Sequence, residues 1–285
     1  MRKTAIVSDS TLDLTPELLE RYQIPIIPLH VLLGDKEYRD GQDITPQEIY
    51  AWADANKTTP KTSAVSVEDS IAVLREVLAQ SEEVICFCLG EKISASGKMM
   101  RLAIEELGAE DRAFVVDSRN LSTGIAQLVI EACLMADQGM RAAEIIPVIE
   151  ELRPLVRSSF TVDTLRYLYR GGRCSGLSAL AGTALKLHPK ITVEDGVLYA
   201  GKKYRGRLKK AILAYVDDLL PELEDARPAR VFITHSCCDE EIIRRVREKL
   251  ESLHHFEEIH VTVTGSVISC HCGPGTLGIL FIANK

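Results

Sequence analysis

The sequence predicts an α/β protein built from two domains. In the first half of the chain, apolar runs of four to six residues alternate with segments of helical pattern. Such alternation is typical of a parallel sheet that is covered by helices on both faces. The second half contains a hairpin-type turn and further strand-like runs, which favours a mixed sheet. We therefore predict an N-terminal parallel-sheet domain over residues 1–155 and a smaller mixed-sheet α/β domain over residues 156–285, with a ligand between them.

The first domain is predicted to begin with a strand, a loop and a helix. Thr4–Val7 is a short apolar run that leads into Ser8-Asp9-Ser10. Thr15-Pro16 predicts a helix start, because Thr caps free N–H groups and Pro fits the first helical position. Ile24–Leu33 is predicted to be one buried strand, and Thr45-Pro46-Gln47-Glu48 has the pattern of a capping box at the next helix.

Two more strands of this domain are predicted at Val84–Leu89 and Ala113–Val116. Ser10, Ser94 and Ser118 each lie just past the carboxyl end of a predicted strand. Ligands of parallel sheets bind beyond the carboxyl ends of the strands, so we expect these serines to converge on one crevice. The helices that follow the two strands are predicted over Ser96–Glu106 and Thr123–Gln138.

The second domain is predicted to start where Pro154 interrupts a helical pattern. Asp195-Gly196 lies between the apolar runs Lys190–Val193 and Val197–Tyr199, which predicts a β-hairpin with a tight Asp-Gly turn. The other predicted elements are the helices Arg207–Leu219 and Glu240–Leu253 and the strands Val231–Thr234, Ile259–Val263 and Gly278–Ile282.

His271 is framed by four glycines and Pro274 in the segment Gly265–Gly278. Glycine permits positive φ and proline fixes φ, so Gly273-Pro274-Gly275 predicts a turn of defined shape. We interpret the segment as a loop that positions the imidazole ring. An ordinary connection between two strands is the alternative.

Composition excludes several classes of protein. The 285 residues are 46% hydrophobic and carry a net charge of −7, with both signs mixed along the predicted helices, which argues against a general nucleic-acid binder. No apolar run approaches the roughly 20 residues that a membrane span needs. Met1–Thr4 leads directly into a strand, so we expect no cleavable signal and a cytoplasmic protein. The eight cysteines lack the spacing of a disulfide framework, and most should be free thiols.

Hydroxyl side chains occur near two predicted helix starts. Ser94 lies in a loop that opens a helix, where a hydroxyl and free backbone N–H groups favour an anion. Thr62-Ser63 is a similar hydroxyl pair. The simpler interpretations are that Ser94 is a helix cap and that Thr62-Ser63 caps a helix beginning near Ser66.

Two glycine turns carry arginines, at Gly171-Gly172-Arg173 and at Arg205-Gly206-Arg207. A guanidinium on a permissive turn suits a phosphate or an acidic partner surface. Solvated surface charge is the alternative.

In their order along nearly the whole chain, these segments resemble the DegV family, whose members include the fatty-acid-binding subunit of bacterial fatty acid kinase. The matching segments are Ser8–Thr11, Thr62-Ser63, Ile93–Gly97, Gly171–Arg173, Lys203–Arg207 and Gly265–Gly275. The resemblance implies that Thr62, Ser63, Ser94 and His271 bind the carboxylate of a long-chain fatty acid. It also implies that Arg173 and Arg205 face the kinase partner. Ala95 stands where the family usually has glycine.

A bound acyl chain needs an apolar tunnel. At about 0.8 kcal/mol per buried CH₂, a sixteen-carbon chain gives on the order of 12 kcal/mol before ordering costs. The sequence contains no G-x-x-x-x-G-K-[ST] and no G-x-G-x-x-G after a strand, so ATP chemistry is expected in a separate kinase and no cofactor is expected here.

Two other functions remain open. One is a serine hydrolase or acyltransferase with Ser94 as nucleophile and His271 as base, although no G-x-S-x-G elbow is present. The other is a sensor of a different anionic metabolite. Cys270-His271-Cys272 and the segment His235–Cys238 contain residue types that bind zinc, but neither has the spacing of a structural site, and we predict no metal.

Overall fold

The computed structural model describes residues 2–172 and 187–285. In chain order the strands are β1 (Thr4–Asp9), β2 (Ile26–Ile27), β3 (His30–Leu33), β4 (Lys36–Arg39), β5 (Lys61–Ser63), β6 (Glu83–Cys88), β7 (Ala113–Asp117), β8 (Val156–Thr161), β9 (Leu187–Glu194), β10 (Val197–Arg205), β11 (Ala226–Ser236), β12 (Glu258–Val263) and β13 (Thr276–Ala283). The α-helices are α1 (Pro16–Tyr22), α2 (Pro46–Asn56), α3 (Val67–Leu78), α4 (Ser96–Glu106), α5 (Thr123–Asp137), α6 (Ala142–Leu152), α7 (Arg166–Arg170), α8 (Leu208–Glu224), α9 (Glu240–Glu251) and α10 (Ser266–Cys272).

The N-terminal part contains the predicted parallel sheet, which has four strands in the order β2-β1-β6-β7. The predicted helix starts are also confirmed. Thr15 accepts a hydrogen bond from the N–H of Leu18, and Thr45 forms a complete capping box with Glu48. Helix α4 begins at Ser96, where the sequence places it.

One predicted strand is wrong. Ile24–Leu33 is divided between β2, which joins the parallel sheet, and β3, which belongs to a small antiparallel sheet in the order β4-β3-β5. Pro28 lies between the two strands, and proline has no N–H to continue a ladder. This small sheet carries part of the candidate site described below.

The C-terminal part contains a six-stranded mixed sheet in the order β10-β9-β8-β13-β11-β12. Its neighbouring strands are antiparallel except for β11 and β12, which are parallel. The predicted hairpin joins β9 to β10 through Asp195 and Gly196, whose φ values of 48° and 75° match the turn that favours Asp-Gly. The predicted mixed α/β fold class is therefore confirmed.

Helix α5 lies between the two large sheets. It contacts β1 on one side and β8 and β13 on the other, and it is buried along most of its length. Ile6, Ile125 and Leu280 belong to the same buried apolar cluster, which therefore extends from the parallel sheet to the mixed sheet. The domain boundary at residue 155 stays a prediction.

Helices of membrane-spanning length and hydropathy are absent from residues 2–172 and 187–285.

Candidate functional site

A cavity of about 300 Å³ lies where the small sheet, the start of α4, α10 and the mixed sheet meet. Thr62, Ser63, Ser94 and His271 all line this cavity, although they are far apart in the sequence. The rest of the lining is mainly apolar and comes from both halves of the chain; it includes Leu29, Leu89, Ile93, Leu121, Phe160, Leu168, Leu198, Val267, Ile268 and Leu280.

Thr62 and His271 make direct contact. Thr62 Oγ1 lies 2.8 Å from His271 Nε2, and either group donates depending on the imidazole tautomer. Thr62 is in β5, opposite Val31 of β3, whereas His271 is in the last turn of α10. The contact therefore joins the small sheet to the C-terminal helix at the cavity wall.

His271 was expected in a loop or in a simple connection between two strands. Both predictions are wrong, because His271 lies in a helix, α10. The segment Val-Ile-Ser-Cys-His-Cys is poor in strong helix formers, and its N-cap is Gly265, which has no side chain to cap with. The predicted turn does follow the helix, since Gly273 and Gly275 have φ values of 77° and 78°.

Two carboxylates cap α10 from a distance. Asp13 Oδ1 accepts the Gly265 N–H at 2.7 Å. Asp40 Oδ1 accepts the N–H groups of Ser266 and Val267 at 2.7 and 3.3 Å. Sequence reasoning missed both aspartates as contributors to the site, because nothing local to α10 points to them.

Burial dominates the electrostatics of these two carboxyls. Removal from water raises the pKa of Asp13 well above its usual range and also raises that of Asp40, while their hydrogen bonds act in the opposite direction. The hydrogen-bond donors around Asp13 and Asp40 are therefore what stabilises a negative charge on these buried carboxyls. Those donors include the first N–H groups of α10.

Ser94 is half-buried at the cavity and lies one residue before the N-cap of α4, which is Ala95. Ser94 Oγ accepts the Ser96 N–H at 3.2 Å and lies 2.9 Å from Ser96 Oγ. The interpretation of Ser94 as the helix cap is therefore wrong by one position. Its hydroxyl is held by Ser96 while it lines the cavity.

The capping interpretation of Thr62-Ser63 is wrong as well. Ser66 is itself the N-cap of α3, and its Oγ accepts the Asp69 N–H at 2.9 Å. Thr62 and Ser63 belong to β5, where they face the cavity instead.

The expected convergence of Ser10, Ser94 and Ser118 on one crevice is wrong. Ser10 Oγ donates to Asp40 at 2.8 Å and accepts the Leu29 N–H at 3.1 Å. Ser118 is fully buried and its hydroxyl donates to the Asn120 carbonyl at 3.3 Å. Ser94 is the member of the three that lines the cavity.

Gly171 has a role that the turn interpretation did not foresee. A β-carbon at this position would lie 2.1 Å from His271 Nδ1, yet the backbone of Gly171 has a helical φ of −72°. Glycine is therefore required for space beside the imidazole. Arg173 of the same motif lies outside the described residues, and Arg205 is an exposed residue at the end of β10.

The two groups of a hypothetical serine enzyme each have another hydrogen-bond partner. Ser94 Oγ is engaged with Ser96, whereas His271 Nε2 is engaged with Thr62. In the part of the chain that the structure describes, no three His, Cys, Asp or Glu side chains are arranged to hold a metal ion. The arrangement supplies hydroxyl and imidazole groups in the wall of a mostly apolar cavity.

Comparison with known proteins identifies the family. The sequence model of the DegV family matches residues 3–284. A DegV domain-containing protein from Deinococcus radiodurans is 32% identical over 275 residues, which cover 96% of each chain. The solved structure described as fatty acid binding of a DegV family protein from Thermus thermophilus is 32% identical, has a TM-score of 0.90, and covers 99% of this chain and 100% of its own. A stearic acid-binding protein from Eubacterium ventriosum is 29% identical, with a TM-score of 0.85 and coverage of 99% of this chain and 98% of its own. The chain therefore belongs to the DegV family.

Proposed function

We propose that this protein binds a long-chain fatty acid, with the carboxylate on Thr62, Ser63, Ser94 and His271 and the acyl chain in the apolar part of the cavity. The observation that carries this proposal is that the four polar residues share one cavity whose other walls are mainly aliphatic. A carboxylate that leaves water needs several convergent hydrogen bonds, and an acyl chain needs apolar surroundings. The cavity offers both.

The apolar lining favours an acyl chain over a sugar phosphate or another fully polar metabolite. Leu121 lies in the connection between β7 and α5, Phe160 in β8 and Leu198 in β10, and all three line the same cavity. The Thermus thermophilus and Eubacterium ventriosum relatives, which are 32% and 29% identical, are themselves described as fatty-acid-binding proteins. These relatives support the choice of ligand.

We further propose that the protein is an accessory subunit without catalysis of its own, which presents the bound carboxylate to a separate ATP-dependent fatty acid kinase for acyl-phosphate formation. The sequence has no G-x-x-x-x-G-K-[ST], and its G-x-G-x-x-G string at Gly273–Gly278 follows α10 and leads into β13 instead of opening a helix after a strand, which supports this division of labour. Arg173 and Arg205 are the proposed partner-facing residues. The exposure of Arg205 agrees with such a role.

The test is extraction of the freshly purified protein into organic solvent, followed by mass spectrometry of the extract. We expect close to one fatty acid per chain in the parent protein and a large loss in the Ser94→Ala and His271→Ala variants. Ser252→Ala is the matched control, because Ser252 is exposed at the end of α9. A parent protein without lipid, or one that carries a phosphorylated metabolite, would overturn the ligand assignment.

A second measurement separates a binder from an enzyme. Loaded protein is mixed with a bacterial fatty acid kinase and ATP, and hydroxylamine traps acyl phosphate as a hydroxamate. We expect hydroxamate only when both proteins are present. Covalent labelling of Ser94 by a fluorophosphonate would instead favour the hydrolase hypothesis.

A further inference from the structure

Helix α10 begins without a side-chain cap of its own. Its N-cap is Gly265, and the first N–H groups of any helix have no partner within the helix. In this protein Asp13 and Asp40 accept three of these N–H groups. The acceptors come from the first forty residues of the chain, whereas the helix lies close to its end.

Both carboxylates are built into the fold. Asp13 and Asp40 are 4% and 2% exposed. The second oxygen of each accepts a serine hydroxyl, from Ser122 at 2.5 Å for Asp13 and from Ser10 at 2.8 Å for Asp40. Every carboxylate oxygen of the pair thus has a protein donor, which fixes the orientation of both groups.

The small antiparallel sheet holds both ends of α10. Asp40 directly follows β4 and contacts the first residues of the helix. Thr62 lies in β5 and contacts His271 in the last turn. Both β4 and β5 pair with β3, so the two contacts are placed by one sheet.

A helix of seven residues is about 10 Å long, at 1.5 Å per residue. Such a short helix moves nearly as one rigid unit, so a displacement of its N-terminus also displaces its last turn. The carboxylates themselves do not touch the ligand site, because neither aspartate lines the cavity.

We propose that Asp40, assisted by Asp13, is a positioning residue for His271: it anchors the start of α10 so that the imidazole meets Thr62 in the geometry that receives the ligand carboxylate. This inference rests on the proposed function for its ligand. Its structural part, the dependence of the imidazole position on Asp40, does not need a ligand.

The first measurement uses the unliganded full chain. Side-chain ¹⁵N signals of His271 are recorded for the parent, Asp40→Ala, Asp40→Asn and Asp35→Ala. Asp35 is the matched control, since it is exposed in the turn between β3 and β4 of the same small sheet. We expect shifted His271 signals in Asp40→Ala and a position nearer to the parent in Asp40→Asn, whose amide oxygen still accepts the Ser266 N–H. Unchanged signals in a folded Asp40→Ala variant would overturn the proposal.

The second measurement is a double-mutant cycle on stearate affinity with Asp40→Ala and Thr62→Val. We expect each single variant to bind stearate at least fivefold more weakly. We also expect the double variant to lose clearly less than the product of the two effects, because both act on the same contact of His271. Strictly multiplicative losses would contradict positioning and indicate a merely structural role. If the parent does not bind stearate while the His271 signals still shift, the proposed ligand fails and the positioning of His271 stands.

Discussion

The backbone of Gly171 lies directly against the imidazole of His271, so close that a β-carbon on residue 171 would be 2.1 Å from Nδ1. The same ring is 2.8 Å from Thr62 Oγ1 through its other nitrogen. The imidazole is thus confined between a helix backbone and a strand side chain. The position of the ring therefore depends on three separate segments of the chain, which contain Gly171, Thr62 and His271 itself.

Replacement of Gly171 by alanine is expected to displace the imidazole or α7. Overpacking of this kind costs about 1–3 kcal/mol of folding stability. We expect stearate affinity to fall tenfold or more, measured by isothermal titration. Gly201→Ala is the control, because the nearest atom to its added methyl would be 3.4 Å away. Equal affinity of Gly171→Ala and the parent would show that the ring tolerates displacement.

Removal of the Thr62 hydroxyl tests its contact with His271 together with its proposed hydrogen bond to the ligand. Thr62→Val keeps the shape of the side chain and deletes one hydrogen bond, which contributes about 1 kcal/mol. The expected result is a fivefold to tenfold weaker binding of stearate, with a small change in thermal stability. Thr192→Val in β9 is the comparison variant and should bind like the parent.

A pH dependence follows from Asp9. Burial raises the pKa of Asp9 to about 6, against the opposing effect of hydrogen bonds from Thr11 and Leu89. Between pH 7.5 and 5.5 the folded state therefore takes up a proton that the unfolded state, with a pKa near 3.8, does not bind. Folding stability consequently rises as the pH falls through this window, by about 1 kcal/mol from this group.

Urea unfolding of the parent and Asp9→Asn at both pH values measures this effect. The parent should gain about 1 kcal/mol relative to the variant on acidification. Asn has no proton to bind, so the other titrating groups cancel in the difference. A difference that is independent of pH would show that Asp9 titrates at its ordinary value.

The proposed binding of an acyl chain is tested at Leu198, which is 5% exposed and lines the cavity from β10. Leu198→Ala removes apolar volume, and such changes cost about 2–5 kcal/mol of stability. The enlarged space should shift the lipid that copurifies with the protein toward longer or branched chains. An unchanged lipid profile, read by mass spectrometry, would place Leu198 away from the acyl chain.

Elements with local signals were predictable from the sequence. The helix starts at Thr15 and Thr45 are determined by side chains within three residues of the N–H groups that they cap. The hairpin at Asp195 is set by its own two turn residues. These features depend on interactions between near neighbours, so a single sequence reveals them.

Elements held by remote contacts were not predictable in the same way. Helix α10 is capped by Asp13, which is 252 positions from Gly265, and no local pattern announces this pairing. The four candidate carboxylate-binding residues were selected by family resemblance and share a cavity. Asp13 and Asp40 escaped notice because a buried aspartate and an exposed one look alike in a sequence.

The small sheet and α10 are far apart in the sequence, and this distance affects when the site can form during synthesis of the protein. The contact between Thr62 and His271 joins residues 209 positions apart, so the proposed carboxylate site does not exist until the last part of the chain has been synthesised and docked. A ligand that binds there recognises only the completed fold. At one hundred times its dissociation constant it would add about 2.7 kcal/mol to the free energy of unfolding, which couples the supply of ligand to the lifetime of the protein.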